Sequence, residues 1–391
     1  MRILVLSFYF RPDLCAGSFR ATALLEALSK EIPPGGKIDI LTTAPNRYGS
    51  YSVEAPATEI VGNISVTRIE LSAHRSGMID QAKAFIVYAR TVLQLVKTRQ
   101  YDLVFATSSR LMTASLGAWV ARRKGIPLYL DIRDIFVDTI KDVLPQKVAM
   151  ILRPLFSLLE RWTINSASKV NLVSKGFEEY FQARYPSQHF SYFTNGIDDE
   201  FLSLPKANLK TVKSDLIEVL YAGNLGAGQG LHAIIPDLAR RMRERVYFKI
   251  IGDGGRREAL RNALLRANVD NVELLPPMGR QQLIREYQAA DVLFLHLNDY
   301  EAFKKVLPSK LFEYGAMNKP IWAGVAGYAA EFVRTEMTNA AVFRPCDAIG
   351  AERVFSALSM NTESRVDFVE KFSRMNIARA MAVDILATVK V

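Results

Sequence analysis

The chain has 391 residues, 49% of them hydrophobic and 23% charged, which allows two domains of ordinary size and excludes a disordered chain. No run approaches the ~20 apolar residues needed to span a bilayer. The net charge of +10 suits an anionic partner, whether nucleic acid, nucleotide phosphate or an acidic membrane surface.

Residues 1–7 read as a buried first strand rather than a secretion signal, because the apolar run is short and Arg11 and Asp13 follow at once. Short apolar runs then alternate with longer amphipathic stretches. The expected strands are 2–7, 37–42, 64–71, 102–107, 127–131, 169–173 and 190–194, then a fresh series at 218–222, 247–252, 272–275, 292–296, 320–323 and 340–343. This alternation predicts an α/β protein with parallel sheets covered on both faces. The polar, turn-rich stretch 195–216 reads as a linker between two doubly wound, Rossmann-like domains, 1–200 and 201–391. The last segment, with 371–391 at its end, is helical in pattern; it either caps the second domain or crosses back to the first. Cys15 and Cys346 suit a reducing cytoplasm, and His74, His189, His232 and His296 show no metal-ligand spacing.

Several clusters carry chemistry. Cys15-Ala16-Gly17-Ser18-Phe19-Arg20 reads as a small-residue loop between strand and helix. Asp131-Ile132-Arg133-Asp134 follows a strand, where carboxylates flanking an arginine can position hydroxyls or take a proton, or form an ion-paired loop. Tyr221 to Gly230, with Gly223, Asn224, Gln229 and Gly230, closes the first strand of the second half. Its glycines allow close backbone approach to a ligand, its two amides can add neutral donors, and the following helix offers free N–H groups to phosphate. It is not G-x-G-x-x-G, which speaks against a nicotinamide or flavin site. Gly252-Asp253-Gly254 ends the next strand. In Val306 to Gly315, Pro308 and Ser309 suit a helix start, by preset φ and by capping. Lys310 then stands in the first turn, where the helix dipole disfavours a cation unless an anion is present. Glu313, one turn on, can accept hydrogen bonds from ribose hydroxyls.

These strings, with Ser174-Lys175-Gly176 and Asn195-Gly196-Ile197-Asp198, run through nearly the whole chain. Together they resemble the retaining glycosyltransferases of the GT-B fold, family 4, in the branch of amino- and deoxyamino-sugar transferases that build bacterial O-antigen and capsule. The most specific is Pro308 to Glu313 followed by Tyr314. The resemblance implies two doubly wound domains facing across a cleft, the first for the acceptor and the second for a UDP-sugar. It implies that Glu313 binds ribose, that the Gly223–Gly230 loop and Ser309, Lys310 and Leu311 hold the diphosphate, and that the base lies near Met278 and Gly279. Gly17, Arg20, Asn195, Gly252 and Asp253 complete the nucleotide-sugar set. Asp131, Arg133, Asp134 and Lys310 are the expected catalytic group.

Where many relatives have arginine and lysine in the diphosphate loop, this chain has Asn224 and Gln229, and Lys305 replaces an outer glutamate eight residues before Glu313. Arg133-Asp134 replaces a His-Asp pair. No Asp-x-Asp triplet occurs, so the implied reaction is metal-independent and needs no cofactor beyond the donor substrate. The acceptor implied is a polyprenyl-diphosphate-linked saccharide at the inner face of the cytoplasmic membrane. A UDP-sugar 2-epimerase of GT-B architecture would act without acceptor. A basic nucleotide- or nucleic-acid-binding protein is the other alternative, but the basic residues are dispersed with no reading module, so no nucleic acid is expected.

Two stretches carry apolar stripes: Ile79, Ala82, Ile86, Ala89, Leu93 and Val96, with Lys83, Arg90 and Lys97 beside them, and Val148, Ile151, Leu152, Leu155, Leu158, Leu159 and Trp162. Arg122-Arg123-Lys124 adds a basic cluster. Either the stripes pack on the sheet or they touch an anionic membrane.

Overall fold

Runs such as Ile3-Leu4-Val5-Leu6 and Leu103-Val104-Phe105-Ala106 have no polar alternation, and such strands are stable only where both sheet faces are covered. The computed structural model describes residues 1–13, 15–45, 54–71, 78–108, 111–138, 146–202 and 216–389. The chain forms two units, Met1–Asn195 with Arg374–Val391, and Gly196–Ser373. The first division thus falls five residues before the expected one at 200, and most of the expected linker, 203–215, lies outside the described residues.

In the first unit the elements are β1 (Arg2–Leu6), α1 (Ala16–Glu31), β2 (Lys37–Thr43), β3 (Thr58–Val61), β4 (Ile64–Ile69), α2 (Met78–Val96), β5 (Leu103–Thr107), α3 (Leu111–Lys124), β6 (Leu128–Ile132), α4 (Gln146–Asn165), β7 (Lys169–Leu172), α5 (Glu178–Arg184) and β8 (Phe190–Ser191). Its sheet runs β3-β4-β2-β1-β5-β6-β7-β8, parallel throughout except for β3. The β3–β4 hairpin was not expected. Val61 faces Ile64 across Gly62-Asn63, with Gly62 at φ 60°, a two-residue turn whose Gly-Asn signature was legible. A second difference is that Cys15–Arg20 is no loop. Cys15 is the extended N-cap of α1, and Gly17, Ser18 and Arg20 are already buried in the helix.

The second unit contains β9 (Ile217–Ala222), α6 (Leu231–Arg241), β10 (Val246–Ile251), α7 (Arg257–Ala267), β11 (Val272–Leu275), α8 (Arg280–Ala289), β12 (Val292–His296), α9 (Lys310–Ala316), β13 (Ile321–Gly324), α10 (Gly327–Glu336), β14 (Ala340–Phe343), α11 (Ala348–Phe355) and α12 (Val366–Lys371). The all-parallel order β11-β10-β9-β12-β13-β14 is the 3-2-1-4-5-6 arrangement of a Rossmann sheet. Strand order reverses between β9 and β12, and a crevice at the carboxyl ends of the strands is the position where such sheets take ligands. The core beneath is built on Val219, Phe248, Phe294 and Trp322.

The final helix, α13 (Arg374–Ala387), belongs to the first unit rather than the second. Right-handed crossovers that run in opposite directions along a sheet put their helices on opposite faces. The crossovers α2, α3 and α4 advance across the sheet, whereas α1 leads back from β1 to β2. That leaves α1 to cover its face with little help, and α13 packs against it, burying Met381, Ala382 and Ile385 in one cluster with Leu24, Leu25 and Leu28. Asp384 fixes the helix. It accepts hydrogen bonds from Tyr129 of β6 at 2.8 Å and Ser191 of β8 at 2.8 Å, and pairs with Lys169 of β7. Asp384→Ala is expected to cost about 1–3 kcal/mol, since three donors lose their acceptor, and denaturant unfolding followed by circular dichroism measures it.

Candidate functional site

The carboxyl ends of β9 and β10 meet where Gly223 and Gly252 stand at φ 148° and 149°. A Cβ on Gly252 would lie 1.8 Å from the Gly223 carbonyl oxygen, so the two strand-end loops touch backbone to backbone. Hydrogen bonds zip them together: Gly223 N–H to the Ile251 carbonyl at 2.8 Å, Leu225 N–H to Asp253 at 2.8 Å, and Arg256 N–H to Leu225 at 2.8 Å. Asp253 accepts from Gly254 N–H at 2.8 Å and so braces its own turn.

The loop 223–230 is held from within. Gln229 Oε1 accepts from Asn224 Nδ2 at 2.9 Å and from Gly226 N–H at 3.2 Å, while Tyr221 Oη donates to the Asn224 carbonyl at 2.8 Å. The two amides expected as donors to a ligand are therefore engaged with each other at those atoms, and their first role is to shape the loop. Gly230 takes φ 62° ahead of α6. On the other side, Asn298 N–H donates to Gly228 at 2.8 Å and Asn298 Nδ2 to Ala227 at 3.0 Å. His296, fully buried at the end of β12, accepts at Nε2 from Cys346 N–H at 2.9 Å. That fixes Nδ1 as the protonated nitrogen, donating to the Gln229 carbonyl at 2.6 Å. Neither His296 nor Asn298 was singled out in the sequence, because their partners lie some 50 to 71 residues away.

Lys310 opens α9 beside this loop. Its Nζ lies 2.1 Å from where a Gly223 Cβ would be and 5.8 Å from the Tyr221 ring centroid. Among the described residues Nζ has no hydrogen-bond or ion-pair partner. Desolvation lowers its pKa, against the pull of Glu313. Ser309 occupies the N-cap position but in the helical region, and its side chain makes no capping bond, so the capping expectation fails there. Leu311 is fully buried and anchors the helix. Glu313, half-buried one turn on, accepts from Tyr287 at 3.1 Å through Oε2. Burial pushes that tyrosine well above its ordinary pKa, and Glu313 adds to the effect, so it stays a donor. Met278 and Gly279 lie just past β11, with Gly279 the extended N-cap of α8. The next residue, Arg280, is clamped by Asp198 and Glu200 and lies over the Phe201 ring at 4.8 Å. The structure thus gathers Gly223, Asn224, Gln229, Gly230, Gly252, Asp253, Met278, Gly279, Ser309, Lys310, Leu311 and Glu313 at the carboxyl end of one sheet.

Gly17, Arg20, Asn195, Asp131, Arg133 and Asp134 belong to the first unit. Arg20 and Asp131 are buried and form a bidentate pair at 2.9 Å and 2.9 Å, and Asn171 donates to the same carboxylate at 2.8 Å. Arg20 also donates to the carbonyls of Thr194 at 2.6 Å and Phe193 at 2.8 Å. Burial works to raise the Asp131 pKa, but the Arg20 charge and hydrogen bonds outweigh it and hold it below the usual value. With both oxygens engaged and its pKa held down by Arg20, Asp131 braces the chain after β8 and is a poor proton acceptor. The role the structure gives Asp131 and Arg20 is therefore a bracing one, beside the catalytic and ligand-contact roles expected of them. Arg133 and Asp134 remain available: Arg133 N–H donates to Ser108 Oγ at 2.9 Å, its side chain is half-buried, and Asp134 is exposed. Asn195 is buried, and among the described residues its Oδ1 has no hydrogen-bond partner.

Among the described residues no group of three or more His, Cys, Asp or Glu side chains is placed to hold a metal ion, and no helix is long and apolar enough to cross a membrane. Both cysteines are free thiols. A glycosyl transferase 4-like domain matches residues 22–196, and a domain described as glycosyl transferases group 1 matches residues 207–374. The chain belongs to the glycosyltransferases of GT-B type. The fold of this glycosyltransferase is similar to that of a sucrose-phosphate synthase from Thermosynechococcus elongatus (TM-score 0.67, 16% identity, covering 100% of this chain and 96% of the other). It is also similar to HepE from Anabaena in complex with UDP (0.59, 17%, 100% and 98%), and to WaaG, a glycosyltransferase involved in lipopolysaccharide biosynthesis (0.65, 13%, 99% and 97%). No curated protein matches the chain.

His296 makes the site's stability depend on pH. Burial lowers its pKa from 6.5 to about 4, with the Gln229 carbonyl opposing. The unfolded chain therefore binds the proton first as pH falls, and stability is complete above pH 6.5 and lost toward pH 4. At ~1.36 kcal/mol per pKa unit the loss is roughly 3 kcal/mol. Unfolding titrations at pH 7 and pH 4 measure it, and His296→Asn is expected to flatten that slope.

Proposed function

We propose that this glycosyltransferase transfers a sugar, an N-acetylated or deoxyamino hexose, from a UDP-sugar to a polyprenyl-diphosphate-linked saccharide in surface polysaccharide synthesis. Transfer proceeds with retention and without a metal, in the cytoplasm at the inner face of the cytoplasmic membrane. The observation that carries the nucleotide half is Lys310: a half-buried ammonium with no described partner, set against the Gly223 loop at the switch point of a Rossmann sheet. A cation held that way fits a diphosphate. In this reading the 223–230 backbone and Ser309, Lys310 and Leu311 receive the phosphates, Glu313 the ribose, and the backbone at Met278 and Gly279 the base. The likeness in fold to a protein in complex with UDP supports the donor, and the likeness to WaaG supports a saccharide acceptor.

The acceptor hydroxyl oxygen forms the new bond to the anomeric carbon as that carbon's bond to the β-phosphate oxygen breaks. The electron pair leaves with UDP, and the acceptor proton passes to the departing phosphate on the same face. Lys310 and backbone N–H groups meet the growing phosphate charge, a role of the kind that can contribute about 3 kcal/mol per donor. Arg133 and Asp134, rather than Asp131, are the first-unit groups assigned to contact with the acceptor or the transferred sugar.

Calorimetry separates the two nucleotide contacts. Lys310→Ala is expected to weaken UDP roughly tenfold or more and uridine hardly at all, the loss of a charge-assisted contact. Glu313→Gln is expected to weaken both ligands by a similar factor; equal losses of UDP and uridine in Lys310→Ala would make Lys310 structural. Turnover is expected to persist in EDTA, and restoration of EDTA-abolished activity by magnesium or manganese would overturn the metal-free account.

A further inference from the structure

The apolar stripes on α2 and α4 pack inward only in part. In α2 the residues turned inward are Ala84, Phe85, Tyr88, Val92 and Val96, while Ala82, Ile86 and Leu93 of the expected stripe are exposed. In α4 the inward side is Glu160, Thr163 and Ile164 near its end, where Thr163 bonds Ser115 of α3 at 2.8 Å. Its first two-thirds projects apolar side chains outward: Ile151 is 67% exposed, Leu155 62% and Leu158 68%, at helical spacing i, i+4, i+7, with Met150 at 71%. Helix α3 contacts both neighbours and adds Met112 and Trp119, the latter 46% exposed under the Arg123 guanidinium at 5.1 Å. Three adjacent helices of one unit therefore expose large apolar side chains together, which is more than the scattered single residues of an ordinary surface.

Charge selects the occupant. Exposed basic residues border the apolar ones: Lys83 and Arg90 in α2 with Lys97 just past its end, Arg122 and Arg123 in α3, and Arg153 and Arg161 in α4. Among the described acidic residues of these helices, Asp80 sits at the start of α2, and Glu160 is buried and accepts from Tyr180 and Tyr185 at 2.9 Å each. A like face on a second copy would bring these cations against one another, whereas an anionic lipid surface pairs with them while its acyl boundary takes the apolar chains. A tryptophan beneath an arginine suits the headgroup level, where a ring meets both apolar and wet surroundings.

The geometry points to the α2–α3–α4 face as a docking surface for an anionic bilayer, with α4 lying in the interface and inserting Ile151, Leu155 and Leu158. The proposal rests on the functional reading above only for the choice of membrane. Its test is flotation of the full-length protein with phosphatidylcholine vesicles with and without phosphatidylglycerol. Binding is expected to the anionic vesicles only, to fade with salt, and to fall roughly tenfold or more in Leu155→Glu. Arg122→Glu with Arg123→Glu is expected to weaken it in low salt while leaving a smaller salt dependence. All three substitutions lie on exposed positions, and unchanged calorimetric UDP binding shows that the fold and the nucleotide site persist. Equal binding to neutral vesicles, or no binding at low salt, overturns the proposal. So does a dimer in sedimentation velocity that Leu155→Glu dissociates, which would assign the face to a second copy. Failure to bind UDP bears on the nucleotide reading and leaves the vesicle result standing.

Discussion

At the carboxyl ends of β9 and β10 two strand-end loops pass with no room for a single carbon between them. The Gly223 carbonyl oxygen fills the place a side chain on Gly252 would need, and Lys310 fills the place a side chain on Gly223 would need. A side chain on Gly252 would push the loops apart and open the zipper through Leu225, Asp253 and Arg256, while one on Gly223 would displace the Lys310 ammonium. The remainder of the site is arranged around that contact. Gln229 folds back to fix the loop's curvature, Asn298 and His296 hold its far end, and Tyr221 lies under both the loop and the lysine. Because these bonds are satisfied within the protein, the loop's shape exists before any ligand arrives. Pre-organised donors of this kind need no reorganisation when charge develops on a leaving group.

The first unit solves a different problem. Its sheet has one helix-poor face, and the end of the chain returns to cover it, so residues more than 200 positions apart share one core and one carboxylate. The Arg20–Asp131 pair does the same for the return after β8. A buried pair of this sort gives little net stability against an apolar alternative, but removing one partner leaves an uncompensated charge. The pair thus constrains the path of residues 193–195 more than it stabilises the fold. Two residues that look reactive in sequence are consumed in this way by structure.

The legible parts of the chain were those with local causes. All thirteen expected strands are present, because a strand buried on both faces is a continuous apolar run whatever its neighbours. The glycine loops of the second unit and the helix start after Pro308 fell where expected, since each depends on a few consecutive residues, although Ser309 makes no capping bond. What the sequence hid depends on distant partners. Asp131 reads as a catalytic acid until Arg20, 111 residues earlier, is seen to hold it. Gln229 reads only as a ligand contact until its oxygen is found accepting from Asn224 and Gly226, and His296 reads as an isolated histidine until Cys346 fixes its tautomer. The β3 hairpin is the exception: its Gly62-Asn63 turn is local and was overlooked.

A formal charge of +10 could not choose among anionic partners, because it counts every cation alike. The structure sorts them. Arg20, Arg280 and Lys249 are matched to carboxylates inside their units, and Arg365 is spent on the carbonyls of Lys319 and Thr338, so none projects much field into solvent. Lys310 is a single uncommitted cation at the end of a parallel sheet, a scale suited to one small anion. The cations of α2, α3 and α4 are exposed, spread over three helices and interleaved with apolar side chains, a scale suited to a surface. Net charge acquires functional meaning only after paired and buried charges are set aside, and Lys310 and the α2–α4 cations then differ in scale, the one matched to a small anion and the others to a surface.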